Sequence, residues 1–263
     1  MIDHDNLEDF ADAETYDVVC ADDTGVQFYT ELARETGGPV LEIACGTGRV
    51  GIPIARTGLA VTGVDLVPGM IERARYKSAG LPARWVLGDA RTFELGERFG
   101  LIFLTGNAFQ MFLTRTDQEA LFARVHAHLH DGGLFAFETR NPRWTLPDGR
   151  DEEGWFAPLS TSDVEEQGET YMDAAGRAVR VTLRRTYDHV SQIMYVTSQH
   201  RRDDDGNERV RTVRIALRFT FPQELAALLH YNGFTVERQY GDWDLSPLTA
   251  TSPSIIVVCR ALR

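Results

Sequence analysis

Residues 39–51 read PVLEIACGTGRVG, and the rest of the chain is organised around them. Val40, Leu41 and Ile43 make a short apolar run of the kind a buried strand shows. Glycines follow at Gly46, Gly48 and Gly51, and the run Ile52, Pro53, Ile54, Ala55 reads as a helix. Strand, glycine turn and helix in that order form a nucleotide-binding arrangement. The glycines let the backbone turn tightly and let a ligand approach the main chain.

The glycine spacing matches G-x-G-x-x-G, which taken alone points to a dinucleotide. Glu42 argues against that reading. It is a carboxylate inside an otherwise apolar strand, four residues before the first glycine. A carboxylate there is costly unless something satisfies it. It also stands close to the turn that a pyrophosphate must approach, and two anions repel. A cationic or neutral ligand suits the turn better. S-adenosylmethionine (SAM) carries a sulfonium, an ammonium and a ribose, and no phosphate.

Three later stretches fall in register with this one. Residues 59–65, LAVTGVD, form a second strand ending in an acid. Asp65 can accept hydrogen bonds from both ribose hydroxyls, a feature shared with NAD-binding folds. Residues 84–87 (RWVL) read as a third strand, followed by Gly88, Asp89 and Ala90. Asp89 is placed to accept from an adenine amino group while the Ala90 N–H donates to the ring. Residues 101–105 (LIFLT) make a fourth strand, followed by Gly106 and Asn107. Such turns line up along the carboxyl edge of a parallel sheet, where these folds bind ligands.

Taken in order, E-x-A-C-G-T-G-R, V-T-G-V-D, G-D-A-R and the later D-G-G-L-F resemble a class I SAM-dependent methyltransferase of the bacterial small-molecule type. The resemblance covers about residues 16–141 and resumes over about residues 219–263. It implies an α/β, Rossmann-like, seven-stranded mostly parallel sheet closed by a C-terminal antiparallel hairpin. It implies SAM as cofactor, leaving S-adenosylhomocysteine (SAH) as product. Carried onto this chain, the cofactor residues are Tyr16, Glu42, Ala44, Cys45, Gly46, Thr47, Gly48, Arg49, Asp65, Leu66 and Met70. Gly88, Asp89, Ala90, Arg91, Thr105, Gly106 and Asn107 complete the set. One position departs: the family often opens the fourth strand with an acid, and this chain has Gly100.

Composition sets the outer limits. A chain of 263 residues holds one sizeable core plus an insertion, or two small domains. No apolar run approaches the ~20 residues of a membrane span, and MIDHDNLEDF lacks the basic and apolar regions of a signal peptide. Together with an odd count of cysteines, the lack of a signal peptide favours reduced thiols in a cytoplasm, and a monomer or homodimer is the expectation. A net charge of −12 opposes nucleic acid as a partner, because phosphate binding needs a basic surface. Cys20, Cys45 and Cys259 have no zinc or redox spacing. Cys45 reads as a small residue filling a tight turn, with a catalytic thiol as the lesser alternative.

Residues 1–15 are acidic and read as mobile. Tyr16, Val18, Val19 and then Val26, Phe28, Tyr29, Leu32 and Ala33 make one or two amphipathic helices. In the resembled family such helices cover the cofactor. Tyr16 is balanced between that contact and plain packing, and Tyr29 reads as packing. Pro68 opens a helix over residues 68–79, placing Leu66 and Met70 beside Asp65. Residues 117–130, DQEALFARVHAHLH, form an amphipathic helix ended by Gly132 and Gly133. His126 and His130 share a face, but no acid completes a metal set. They read as favourable partners of the helix dipole.

Residues 134–137 (LFAF) are the fifth strand, and Glu138, Arg140 and Asn141 emerge at its carboxyl end. Glu138 is the candidate base, and Arg140 and Asn141 are candidates to orient an acceptor. A salt-bridged loop is the alternative. From residue 142 to residue 218 the βα rhythm stops and period-two alternation replaces it, as in Val179, Val181 and Leu183 against Arg180, Thr182 and Arg184. We read this segment as a small inserted antiparallel sheet that forms a substrate lid. The core is then 1–141 and 219–263. Phe109, Trp144, Trp155, Tyr187 and Tyr195 are candidate wall residues for an acceptor, against the alternative that they pack the protein.

Methyl transfer is an in-line displacement in which the protein mainly supplies orientation and a dry pocket. No metal cluster or His-acid dyad is visible, which favours an amine acceptor over a hydroxyl. Two other functions remain open on the residues alone. One is an NAD(P)-dependent oxidoreductase using Gly46, Gly48, Gly51 and Asp65. The other is a SAM-binding protein without turnover.

Overall fold

The apolar run at residues 40–43 becomes a strand buried along its whole length, with a parallel strand on each side. The computed structural model describes residues 6–142, 165–204 and 206–262. Its helices are α1 (Ala13–Val19), α2 (Val26–Thr36), α3 (Gly51–Ala55), α4 (Pro68–Lys77), α5 (Arg115–His128) and α6 (Pro222–Tyr231). Its first strands are β1 (Val40–Ile43), β2 (Val61–Asp65), β3 (Ala83–Leu87), β4 (Phe99–Leu104) and β5 (Leu129–Arg140). Then come β6 (Glu166–Gln167), β7 (Tyr171–Met172), β8 (Ala178–Asp188), β9 (Ile193–Asp204) and β10 (Asn207–Arg218). The chain closes with β11 (Phe234–Tyr240) and β12 (Ser254–Ala261).

Seven strands form the main sheet in the order β11-β12-β5-β4-β1-β2-β3. The five from β5 to β3 are parallel, and β12 and β11 run antiparallel to their neighbours. This is the sheet expected from the sequence, including its closing hairpin. Strand alternation sends Leu41, Ile43, Ile102 and Phe135 to one face, where Phe122 of α5 and Leu225 of α6 join them. Val40, Val61, Phe103 and Ala136 face the other way, against Tyr29 and Leu32 of α2 and Ile54 of α3.

Two local expectations need correction. Helix α5 starts earlier, on a reciprocal cap between Thr114 and Asp117, and ends earlier, at His128. Leu129 is extended and already pairs with Phe99, so the strand begins at once and the glycine pair does not end the helix. His130 therefore leaves the helix, and no cluster fit to hold a metal occurs among the described residues. Gly100 also has a reason: a Cβ there would lie 3.0 Å from the Gly38 carbonyl oxygen, so an acid would require the neighbouring backbone to shift by a few tenths of an ångström.

The chain divides into two units. One joins Asp22–Asn141 to Thr220–Arg263 and holds the seven-stranded sheet. The other joins the described residues of Met1–Ala21 and Pro142–Phe219. It carries the antiparallel order β10-β9-β8-β6, with β7 also on β8. The N-terminal segment thus groups with the inserted sheet, whereas the sequence reading joined it to the core. The reason is the exposed edge of β10. The Asn6 side chain accepts from Ala216 N–H at 2.7 Å and donates to its carbonyl at 2.8 Å, and Glu8 accepts from Arg214 N–H at 2.7 Å. These side chains satisfy ladder groups that an edge strand leaves open. Among the described residues no helix is long and apolar enough to cross a membrane.

Candidate active site

Alternation along the strands places Glu42 of β1, Asp65 of β2 and Glu138 of β5 on the face that carries Val40, Val61 and Ala136. All three lie towards the carboxyl ends of parallel strands, the edge where open α/β sheets bind ligands. Asp65 braces the glycine turn. Its carboxylate accepts from the Gly46 N–H at 2.7 Å and from the Val67 N–H at 2.9 Å. Burial raises its pKa, and those backbone donors oppose the rise. Each oxygen retains a lone pair for a hydroxyl donor.

Glu42 is 1% exposed and accepts from the Gly51 N–H at 2.9 Å. Burial pushes its pKa up to about 8. The Gly51 bond and Arg49 oppose this, and Asp65 and Glu138 add to it. Arg49 is the cation facing Glu42 and Glu138 from the turn. Its guanidinium is tied to the carbonyls of Thr24 at 2.9 Å and Asp22 at 3.2 Å. The turn itself is left-handed at Ala44 (φ +54°), Gly46 (+52°) and Gly48 (+80°). Ala44 is the one non-glycine of these, the kind of local strain that gathers at functional sites.

The sequence reading missed Trp85. The indole is buried, and its N–H donates to Ser78 Oγ at 2.7 Å. A Cβ on Gly48 would come 2.8 Å from the indole, one on Gly51 would come 3.1 Å from it, and one on Gly63 would overlap it. Two glycines assigned to ligand approach therefore also seat this ring. The available signal was Gly63, a glycine inside a strand, which marks close approach of another group. Cys45 lies in the same cluster. Burial, with Glu42 and Asp65 nearby, drives its thiol well above the usual range, which disfavours the thiolate a nucleophile needs. Thr47 is buried and accepts from the Lys77 ammonium at 3.1 Å.

The Gly88 N–H donates to the Asp65 carbonyl at 2.9 Å, which brings the third turn beside the second. Asp89 is held by Arg91, through its backbone N–H at 2.8 Å and its guanidinium at 2.6 Å. That pairing lowers the Asp89 pKa. Arg91 continues to Asp117 at 2.8 Å, joining this turn to the cap of α5. The carboxylate expected to meet adenine thus already has a cationic partner.

At the fourth turn, Glu138 Oε1 accepts from the Asn107 N–H at 3.0 Å and the Thr105 hydroxyl at 3.3 Å. Tyr29 Oη lies 2.5 Å from Glu138 Oε2 and 2.9 Å from the Leu104 carbonyl oxygen. Tyr29 also stacks on Phe103, with ring centroids 4.5 Å apart. The expected packing role is therefore present, and a polar role accompanies it. Gly106 (φ +67°) and Asn107 (φ +57°) shape this turn, and Asn107 Oδ1 is buried without a partner among the described residues.

The remaining candidates scatter. Phe109 is fully buried against Phe137, and Met70 is 1% exposed, so both side chains are committed to the interior. Leu66 is exposed. Asn141 donates to the Ser252 carbonyl at 3.0 Å and anchors the link before β12. Arg140 donates to Gln110 at 2.7 Å. Tyr16, against Phe10, and Tyr195 and Tyr187 on the inserted sheet belong to the other unit. Trp144 and Trp155 lie outside the described residues.

Residues 40–133 match the family model for a methyltransferase domain. This stretch is similar to a methyltransferase domain, in line with the SAM-dependent family its motifs resemble. Over 106 residues the chain is 33% identical to a malonyl-(acyl-carrier protein) O-methyltransferase of Anoxybacillus flavithermus, covering 40% of this chain and 39% of that protein. The chain spans less than half the length of the first curated relatives it matches. Solved folds match over nearly all of it. The CcbJ methyltransferase from Streptomyces caelestis superposes with a TM-score of 0.76 at 22% identity, covering 97% of this chain and 98% of that one. The sugar N-methyltransferase KedS8 from a Streptoalloteichus species gives 0.63 at 19% identity, covering 90% and 87%. The matched stretch therefore sits within a fold shared along nearly the whole chain. Neither the family model nor these neighbours support the dinucleotide reading of its glycine turn.

Proposed function

We propose that this protein transfers the methyl group of SAM to a small-molecule acceptor, at an amine nitrogen rather than a hydroxyl. The observation that carries the cofactor reading is Glu42. It is a buried carboxylate bonded to the last glycine of the turn, next to Asp65 and Glu138, with Arg49 as the facing cation. A sulfonium and an ammonium would favour ionisation of these buried carboxyls and be stabilised by it, whereas a phosphate would oppose it.

The residues present fit the group. Asp65 would hold the ribose, the main chain at residues 46–48 the amino-acid end, and the turn at residues 88–90 the adenine. Asn107 Oδ1, an orphaned buried acceptor, would be satisfied by an N–H. Bound SAM supplies a methyl carbon already activated by its sulfonium. The chain's own task is to orient the acceptor and exclude water.

An amine needs only to arrive neutral, while a hydroxyl needs a base. Both oxygens of Glu138 are engaged. His128 is fixed between the Arg124 carbonyl at 2.7 Å and the Leu95 N–H at 3.1 Å, so it is not free as a base. KedS8 is named as a sugar N-methyltransferase, and its fold matches this one.

The test is a panel of amino sugars, other small amines, alcohols and carboxylic acids, incubated with SAM and read by mass spectrometry. One-methyl mass gains confined to amines are expected. Gains confined to alcohols or acids would overturn the nitrogen assignment. SAM bound without any product across the panel would favour a protein without turnover.

A further inference from the structure

Resting on the methyltransferase reading, we propose that Arg49 recognises the carboxylate of the cofactor's amino-acid end through the Nε–Nη2 edge of its guanidinium. One edge of this group is in use and the other is not. Nη1 donates to the Thr24 carbonyl at 2.9 Å and to the Asp22 carbonyl at 3.2 Å, and the Asp22 carboxylate lies 3.6 Å from the same atom. The two carbonyls occupy both hydrogens of Nη1. Nε–H and the hydrogens of Nη2 have no partner among the described residues. Neither nitrogen is sealed from solvent, although the side chain as a whole is only 18% exposed. Nε and Nη2 form the side-on fork of a guanidinium, two parallel donors spaced to match the two oxygens of a carboxylate. The anchor at Nη1 fixes that fork before a ligand arrives, and a pre-set donor loses little freedom on binding.

Charge decides which ligand group belongs on the fork. Arg49 follows Gly48 in the turn whose main chain borders the amino-acid end. Glu42 and Glu138 both feel its charge, and Asp65 adds to the acidity around Glu42. The amino-acid end of SAM carries an ammonium and a carboxylate on one carbon. An ammonium set on Arg49 is repelled, and so is a carboxylate set among the three acids. The opposite placement satisfies both groups. Of the other cations here, Lys77 donates to the buried Thr47 hydroxyl at 3.1 Å and Arg140 donates to Gln110 at 2.7 Å. With the ribose on Asp65 and the carboxylate on Arg49, the sulfur is held between two fixed ends. Arg49 therefore helps to aim the methyl group.

The test removes the carboxylate from the ligand and the guanidinium from the protein, separately and together. SAH and its decarboxylated form, S-adenosyl-3-thiopropylamine, are titrated by calorimetry into wild type, Arg49→Gln and Arg49→Lys. Both compounds keep the adenosine, the sulfur and the ammonium. The altered field at Glu42 and Glu138 therefore reaches both ligands alike, as does any loosening of residues 22–24, and it cancels in the ratio. Wild type should bind SAH about 30-fold more tightly than the decarboxylated form. Arg49→Gln should bind SAH roughly 30-fold more weakly than wild type does, and the decarboxylated form no more than about threefold more weakly. Arg49→Lys keeps the charge and loses the fork, so its loss for SAH should fall between. Wild type binding the two compounds equally overturns the proposal, and that comparison needs no variant. A loss in Arg49→Gln shared equally by both compounds also overturns it, because that is the mark of a brace and not of a carboxylate contact. A wild type that binds neither compound overturns the cofactor reading itself, and the proposal with it.

Discussion

Asp65→Ala is expected to lower the affinity for SAM and SAH by roughly 100-fold or more, the largest loss of any single side chain at the edge. Two effects combine. The carboxylate offers acceptors to the ribose hydroxyls, and hydrogen bonds to charged groups are worth about 1.5–3 kcal/mol each. It also holds the N–H groups of Gly46 and Val67, which fix the first turn against the second. Alanine removes both the ligand contact and the brace. Calorimetry with SAH measures the effect, and circular dichroism checks that the variant keeps its helix content. An affinity within about threefold of wild type would mean that Asp65 does not meet the ligand.

Gly63→Ala is expected to destabilise the fold by about 3 kcal/mol and to lower Tm by about 8 °C. The added methyl has nowhere to go. It would overlap the Trp85 indole and lie 2.8 Å from the Cys45 sulfur, and both side chains are buried. The indole cannot swing away without leaving its bond to Ser78. Shrinking the ring should relieve the clash, so Gly63→Ala combined with Trp85→Leu should lose less than the sum of the two single changes. Thermal melts of the four proteins decide it. Strict additivity would show that Gly63 and Trp85 do not share the crowded space described.

The strands were legible because their apolar runs are short and bounded by turns. Residues 40–43, 101–104 and 255–259 all appear as strand in the structure. The helices were legible in place but not in extent. Helix α5 reads through to residue 130 on periodicity, yet pairing of Leu129 with Phe99 takes the chain into the sheet first. Such a tertiary choice leaves no mark on local pattern.

The site was legible where one residue type has few uses. An acid ending a strand before a turn is Asp65, and a carboxylate in an apolar strand is Glu42. Contacts across the fold were not legible. Nothing in the sequence pairs Tyr29 with Glu138, 109 positions later, or places Trp85 over three glycines. The grouping of residues 6–21 with the inserted sheet was equally hidden, because it depends on Asn6 meeting Ala216, 210 positions away.

The central claim is that this sheet edge holds a cationic sulfonium cofactor and not a dinucleotide. Titration calorimetry of the unmodified protein with SAM, SAH and NAD(H) addresses it most directly. Micromolar binding of SAM and SAH, with no heat from NAD(H), is the expected result. Binding of NAD(H) with no response to either sulfur compound would contradict the account and return the glycine turn to a dinucleotide.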